Sequence, residues 1–195
     1  MCGRYYVDDE TSREIEKIVR KLDQRLKIEH GQDIHPSESA VVFTKECREV
    51  AARQMQWGFP GFQGKGLLIN ARAEAILDKK TFRESVLHRR CVIPARHFYE
   101  WSKNKEKYTF QSPKQDATLF MAGCYQIYNG QNCFVILTTQ ANASVAPVHE
   151  RMPLLLERQE LEDWIMEDAA VEIILAKKPI PLNRTAEYEQ LKLFS

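Results

Sequence analysis

The stretch Thr118-Leu119-Phe120-Met121-Ala122-Gly123-Cys124-Tyr125-Gln126-Ile127-Tyr128-Asn129-Gly130-Gln131-Asn132-Cys133-Phe134-Val135-Ile136-Leu137-Thr138-Thr139 decides the fold. Asn129-Gly130 sits between two apolar runs, and both residues tolerate the positive φ that a two-residue hairpin turn demands. The runs predict strands at Thr118–Tyr128 and Cys133–Thr139. Working outward, the same criteria predict strands at Ala40–Thr44, Glu49–Trp57, Leu67–Ile69, Cys91–Ile93, Phe98–Trp101, Lys107–Gln111 and Met152–Leu156. Helical spacing of Ile15, Ile18, Val19, Leu22 and Leu26 predicts a helix from Thr11 to His30, capped by Thr11 or Ser12 and ended by Gly31. A second helix is predicted from Thr81, where Thr81-Phe82-Arg83-Glu84 matches a capping box. Others are predicted over Glu157–Glu167 and Ala169–Ala176. The reading is a single α+β domain spanning residues 1–195, a mostly antiparallel sheet or open barrel with peripheral helices.

The 195 residues are 44% hydrophobic, and the longest apolar runs, such as Leu154-Leu155-Leu156, are too short to cross a bilayer. Met1-Cys2-Gly3-Arg4-Tyr5-Tyr6 lacks the apolar core of a secretory signal, so a cytoplasmic protein is expected. Cysteines at 2, 47, 91, 124 and 133 suit neither a disulfide framework nor a zinc site, and no metal or cofactor is expected. Net charge is only +1, but residues 1–115 hold 22 basic against 16 acidic side chains, while the remainder holds 6 against 11. A basic face able to track phosphates is compatible with that asymmetry, as are solvated surfaces without a partner.

Four clusters carry chemistry. Cys2 follows the initiator methionine, and removal of Met1 would leave a 1,2-aminothiol able to condense with an aldehyde. In Asn70-Ala71-Arg72-Ala73-Glu74, Asn70 would open a polar turn and orient an amine or thiol without changing charge. Arg72 can hold a phosphate, or pair with Glu74 as an ordinary surface ion pair. An extended Phe98-Tyr99-Glu100-Trp101 places Phe98 and Glu100 on one face, where burial would raise the Glu100 pKa into the range of a general acid. In His149-Glu150-Arg151-Met152-Pro153, His149 is a candidate proton shuttle. Taken singly, an incidental second residue, a turn asparagine, an exposed glutamate or a surface histidine would explain each cluster.

In this order, however, Met1-Cys2-Gly3-Arg4, Trp57-Gly58-Phe59, Asn70-Ala71-Arg72-Ala73-Glu74, Arg90-Cys91-Val92-Ile93-Pro94-Ala95, Phe98-Tyr99-Glu100-Trp101, Thr138-Thr139 with Ala141-Asn142, and His149-Glu150-Arg151-Met152-Pro153 span nearly the whole chain. The set resembles the SOS-response-associated peptidase (SRAP) family. The resemblance implies a compact β-rich domain with a basic cleft for single-stranded DNA. It implies catalytic roles for Cys2, Asn70, Glu100 and His149, and DNA contacts from Arg4, Arg72, Arg151, Trp57 and Trp101. It further implies a DNA damage response role in which the mature Cys2 crosslinks to abasic sites, and a thiol autopeptidase activity on whatever precedes Cys2. A monomer is expected, acting on single-stranded DNA that contains abasic sites. Two alternatives stand beside it: a cysteine hydrolase on peptides or amides with His149 as base, and a non-catalytic reader of modified DNA.

Overall fold

The computed structural model describes residues 2–19 and 31–187. Strand β1 (Tyr5–Val7) leads into helix α1 (Asp9–Ile18), followed by β2 (Gln32–Ile34), β3 (Ser39–Glu46) and β4 (Glu49–Trp57). A small hairpin of β5 (Phe59–Pro60) and β6 (Leu67–Leu68) precedes β7 (Asn70–Arg72) and α2 (Lys80–His88). Next come β8 (Arg90–Ala95), β9 (His97–Trp101), β10 (Lys107–Gln111), β11 (Leu119–Tyr128) and β12 (Gln131–Gln140). Strands β13 (Arg151–Pro153) and β14 (Leu155–Leu156), helices α3 (Glu160–Met166) and α4 (Val171–Leu175), and β15 (Asn183–Ala186) follow.

The β11–β12 hairpin forms as its sequence requires. Tyr128 pairs with Gln131, and the two turn residues take φ of 50° at Asn129 and 81° at Gly130. From this hairpin a ring of five strands closes, β12–β4–β3–β8–β11 and back to β12, antiparallel except for the parallel β12–β4 contact. Gly123 makes the closure possible. A Cβ there would lie 2.5 Å from Ile93 Cδ1 and 2.8 Å from the Val135 carbonyl oxygen, closer than packed atoms can stand. A second sheet, β15–β10–β9–β1–β2, is antiparallel throughout. The barrel strands are apolar on both faces. One face joins Phe43, Val92, Val135 and Leu137 to Ile15, Leu161 and Trp164 of the helices. The other joins Val42, Ile93, Phe134 and Ile136 to Tyr5, Phe98 and Phe110 of the second sheet. The site therefore sits where the second sheet meets the barrel. No helix among the described residues is long and apolar enough to cross a membrane.

Several expectations are corrected. Helix α1 starts at Asp9 because Asp8, not Thr11 or Ser12, is the cap: its Oδ1 accepts from the Thr11 amide at 2.8 Å. The helix ends at Ile18, where Val19 is already extended, and Leu22, Leu26 and His30 lie outside the described residues. Helix α2 starts one residue before Thr81, with Lys79 as cap and no side-chain capping bond, so the Thr81–Glu84 box falls inside the helix. Asn70 does not open a turn; it begins β7, which pairs in parallel with Ile136–Thr138 of β12. Met152–Leu156 divides at Leu154, whose amide donates to Leu137 of β12 and whose carbonyl accepts from Ala122 of β11. The single predicted strand thus passes from one partner to the other, as β13 and then β14.

Candidate active site

Strand pairing delivers Cys2 to its neighbours. Tyr5 and Tyr6 pair with Phe98 and His97, and the Tyr99 amide donates to the Arg4 carbonyl at 3.1 Å. The N-terminal residues thus run antiparallel along β9 toward Glu100 and Trp101. Cys2 is fully buried, and its thiol faces the Arg4 carbonyl at 3.7 Å. From the barrel side, Asn70 Nδ2 donates to the Cys2 carbonyl at 2.9 Å. Asn70 Oδ1 is buried and has no hydrogen-bond partner among the described residues. Glu100 shares its strand face with Phe98, as alternation required, and is 2% exposed.

His149 arrives on the loop between β12 and β13. That loop is anchored by Asn142, whose Nδ2 donates to the Pro179 and Ile180 carbonyls and whose Oδ1 accepts from the Ser144 amide and hydroxyl. The amide of Arg151 donates to His149 Nδ1 at 3.0 Å. The Arg151 carbonyl oxygen also faces that nitrogen, at 3.2 Å, and a neutral ring whose Nδ1 accepts from the amide carries its proton on Nε2. His149 also borders a groove of about 780 Å³ whose walls include Trp101, Tyr108 and Val148.

Burial dominates the electrostatics. It pushes the Cys2 thiol well above the usual range, and the nearby Glu100 charge adds to the effect. Burial likewise raises the Glu100 pKa, offset in part by the positive charge of the N-terminus and then by that of His149. Asn70 is bonded to Cys2, and Glu100 lies near enough for its charge to act on the Cys2 thiol and for that of His149 to act on Glu100. Together they hold an uncharged thiol beside a carboxyl that takes up a proton more readily than an exposed glutamate.

The expected DNA contacts separate into three groups. Arg72 and Trp101 are exposed, Arg72 on the same strand face as Asn70 and Trp101 at the end of β9. Arg4 and Arg151 are held by carboxylates. Arg4 pairs with Asp33 and lies over the Tyr99 ring, 5.2 Å from its centre. Burial alone would raise the Asp33 pKa, but hydrogen bonds from Arg4 and Tyr99 outweigh it and leave the carboxyl below its ordinary value. Arg151 forks onto Glu74 at 2.9 and 2.8 Å, so Glu74 pairs with Arg151 rather than with Arg72. Trp57 must be withdrawn as a stacking platform. It is fully buried, stacks on Phe134 with ring centres 6.2 Å apart, and donates its Nε1–H to the Ile69 carbonyl. Its task is to support the residue preceding Asn70.

Sequence reading missed the layer beside Arg4. His97 stacks on Tyr6, with ring centres 4.8 Å apart, and meets the Tyr99 hydroxyl at 2.8 Å. Lys107 lies 4.3 Å from the centre of the Tyr99 ring. Burial lowers the His97 pKa to about 4, so His97 is neutral at pH 7. Period-2 alternation places His97, Tyr99 and Trp101 on one face, and that was the available signal. Nothing in the sequence pointed to Asp33.

Comparison with known proteins extends these observations. The chain is 29% identical over 181 residues to the abasic site processing protein YoqW of Bacillus subtilis, covering 85% of this chain and 80% of that one. It is 23% identical to the abasic site processing protein YedK of Escherichia coli, covering 94% and 89% respectively. An X-ray structure of a protein from Bacteroides thetaiotaomicron superposes with a TM-score of 0.80 at 20% identity, covering 98% of this chain and 94% of that one. A phage-related protein from Bordetella bronchiseptica gives 0.74 at 21% identity, covering 95% and 93%. The sequence model of the SOS response associated peptidase matches residues 1–190. With that match extending from the N-terminal cysteine motif to beyond β15, the chain belongs to the SOS response associated peptidase (SRAP) family.

Proposed function

We propose that this protein acts in the DNA damage response as a monomer that senses abasic sites in single-stranded DNA. In this reading, Met1 is removed and the mature N-terminus of Cys2 bonds covalently to the lesion. The observation that carries it is the Asn70 bond to the Cys2 backbone beside a buried Glu100 whose charge acts on the Cys2 thiol, with His149 acting on Glu100 in turn. The names of the relatives, abasic site processing proteins, supply the substrate class.

The chemistry follows from the groups present. Glu100, its pKa raised by burial, moves the protons needed to open the sugar to its aldehyde. A terminal amine has a pKa of about 7.7–8.0, so about a tenth to a sixth is neutral at pH 7 and able to attack. Nitrogen bonds to the aldehyde carbon, giving a carbinolamine. The Nε2–H of His149 donates to the departing hydroxyl while the carbinolamine N–H proton returns to the ring, so water leaves, a neutral imine forms and the imidazole ends uncharged. The Cys2 sulfur then bonds to the imine carbon and its proton passes to nitrogen, closing a thiazolidine. Asn70 holds the backbone of the attacking residue in line.

The buried thiol also weighs against a simple cysteine hydrolase. Such an enzyme needs a thiolate or a base on sulfur, whereas Cys2 is held neutral and faces a carbonyl oxygen. A thiol autopeptidase step remains part of the proposal: the bond before Cys2 is adjacent to its own sulfur, so attack is intramolecular and the thiol need lose its proton only as the bond forms. A reader of modified DNA without chemistry would have no use for the buried carboxyl beside Cys2.

Arg72 would make the leading phosphate contact, with Arg4 and Arg151 contributing as partly neutralised pairs and Trp101 stacking on a base. Arg72→Ala is expected to weaken single-strand binding without regard to sequence. The slope of log affinity against log salt should become shallower by about 0.7 for each phosphate charge that the variant leaves unneutralised. A salt titration matching wild type would remove Arg72 from the interface. The function itself is tested by mass spectrometry of the protein mixed with abasic single-stranded DNA. The expected product is the sum of protein without Met1 and DNA, less one water. Only unmodified components after prolonged incubation would refute it.

A further inference from the structure

Glu74 lies outside the reacting set, yet its carboxylate is tightly engaged. Oε1 accepts from Arg151 Nη1 at 2.9 Å, the Gln140 amide at 3.1 Å and Thr139 Oγ1 at 3.3 Å, while Oε2 accepts from Arg151 Nη2 at 2.8 Å. The Arg151 fork is the main cause of a Glu74 pKa lowered to about 2, so the carboxylate is charged throughout the working range. Arg151 Nη2 reaches the Thr138 carbonyl as well, at 2.7 Å.

Topology gives the fork a purpose beyond charge neutralisation. Thr138 of β12 pairs with Arg72 of β7 on one side and with Pro153 of β13 on the other. Glu74 lies two residues beyond the end of β7, in a single 3-10 turn over Ala73–Ala75, and Arg151 begins β13. Their bond therefore spans β12 and ties the strand that starts with Asn70 to the strand that follows His149. Arg151 carries the amide that engages His149 Nδ1 at 3.0 Å, and the Arg151 carbonyl oxygen lies 3.2 Å from the same nitrogen. Both groups are within hydrogen-bond reach of Nδ1, so a small shift of the Arg151 backbone that favoured its carbonyl over its amide would move the imidazole proton from Nε2 to Nδ1. Glu74 is half exposed, and ion pairs of that kind add little to fold stability. Its effect falls on aim.

We propose that Glu74 is a positioning residue: by clamping Arg151 it keeps the Arg151 amide on His149 Nδ1 and the imidazole proton on Nε2. The consequence for reaction rests on the role of His149 proposed above, whereas the tautomer does not.

The test uses Glu74→Gln and Arg151→Lys, the second keeping the cation but losing the two-pronged geometry. Nitrogen-15 NMR of histidine-labelled protein without DNA, with His149→Gln to assign the ring signals, reads the tautomer directly. Wild type should show Nε2 protonated in the neutral ring, and both variants should show a mixture with Nδ1–H. Adduct formation at saturating abasic single-stranded DNA should slow about tenfold in Glu74→Gln, the scale of a modest misalignment. Affinity for the same DNA should be unchanged or tighter, since one negative charge is gone. An unaltered His149 tautomer in two folded variants overturns the proposal, as does a wild-type rate of adduct formation. Should wild type itself form no adduct, the crosslinking function fails, and the tautomer measurement alone decides the role of Glu74.

Discussion

Cys2→Ala is expected to lose the adduct that survives denaturing electrophoresis while keeping its affinity for single-stranded DNA. Alanine still permits removal of Met1, so an α-amine remains and an imine can form. Without sulfur the imine has no ring to close and hydrolyses when the protein unfolds. The substitution removes one atom from a fully buried site where Asn70 holds the backbone carbonyl rather than the side chain, so the fold should persist. Trapping with borohydride should recover the labile species as a stable amine in both proteins. An untrapped Cys2→Ala adduct as durable as that of wild type would sink the thiazolidine step and leave Cys2 an incidental neighbour.

The second large effect concerns stability. Arg90 begins the Arg90–Ala95 motif, and its side chain is 4% exposed. Its guanidinium donates to the Val86 and Leu87 carbonyls in the last turn of α2, to the Trp164 carbonyl in the last turn of α3, and to Asp168 at 2.8 Å. One cation thereby satisfies the ends of two helices, where carbonyls lack partners and the dipole favours positive charge. Arg90→Met keeps much of the volume but strands those carbonyls, at a cost of about 1–3 kcal/mol each where no water reaches them. The expected loss is about 3 kcal/mol or more, equivalent to roughly 6–12 °C in Tm for a domain of this size. Urea denaturation monitored by circular dichroism checks it. A wild-type midpoint would mean that the helix ends do not depend on Arg90.

Legibility of the fold tracked locality. Asn129-Gly130 announced its hairpin because a two-residue turn depends on the φ preferences of two adjacent residues. Glu100 was legible for a similar reason: alternation from Phe98 fixed its face, and burial did the rest. Asn70 was misread as a turn because its strand is only three residues long and exists through a parallel partner, Ile136, far along the chain. Trp57 was misassigned to DNA although Met55 and Trp57 alternate with Gln54 and Gln56, the pattern of a strand with one buried face. That signal was present and was outweighed by the family resemblance. The Glu74–Arg151 fork joins residues 77 positions apart, and local spacing favoured Arg72 instead. Long-range charge pairing leaves no periodicity to read.

The central claim is that the α-amine of Cys2 attacks first and its thiol closes the ring. It is tested most directly by capping the mature amine while leaving the sulfur untouched. Mature protein would be acetylated at its N-terminus, with intact mass spectrometry establishing a single modification and a free Cys2 thiol. Circular dichroism and single-strand affinity would serve as controls for fold and access. Mixed with abasic single-stranded DNA, the capped protein is expected to bind but to give no product of protein plus DNA less water. Undiminished crosslinking by protein shown to be capped would assign the first attack to sulfur and contradict the account.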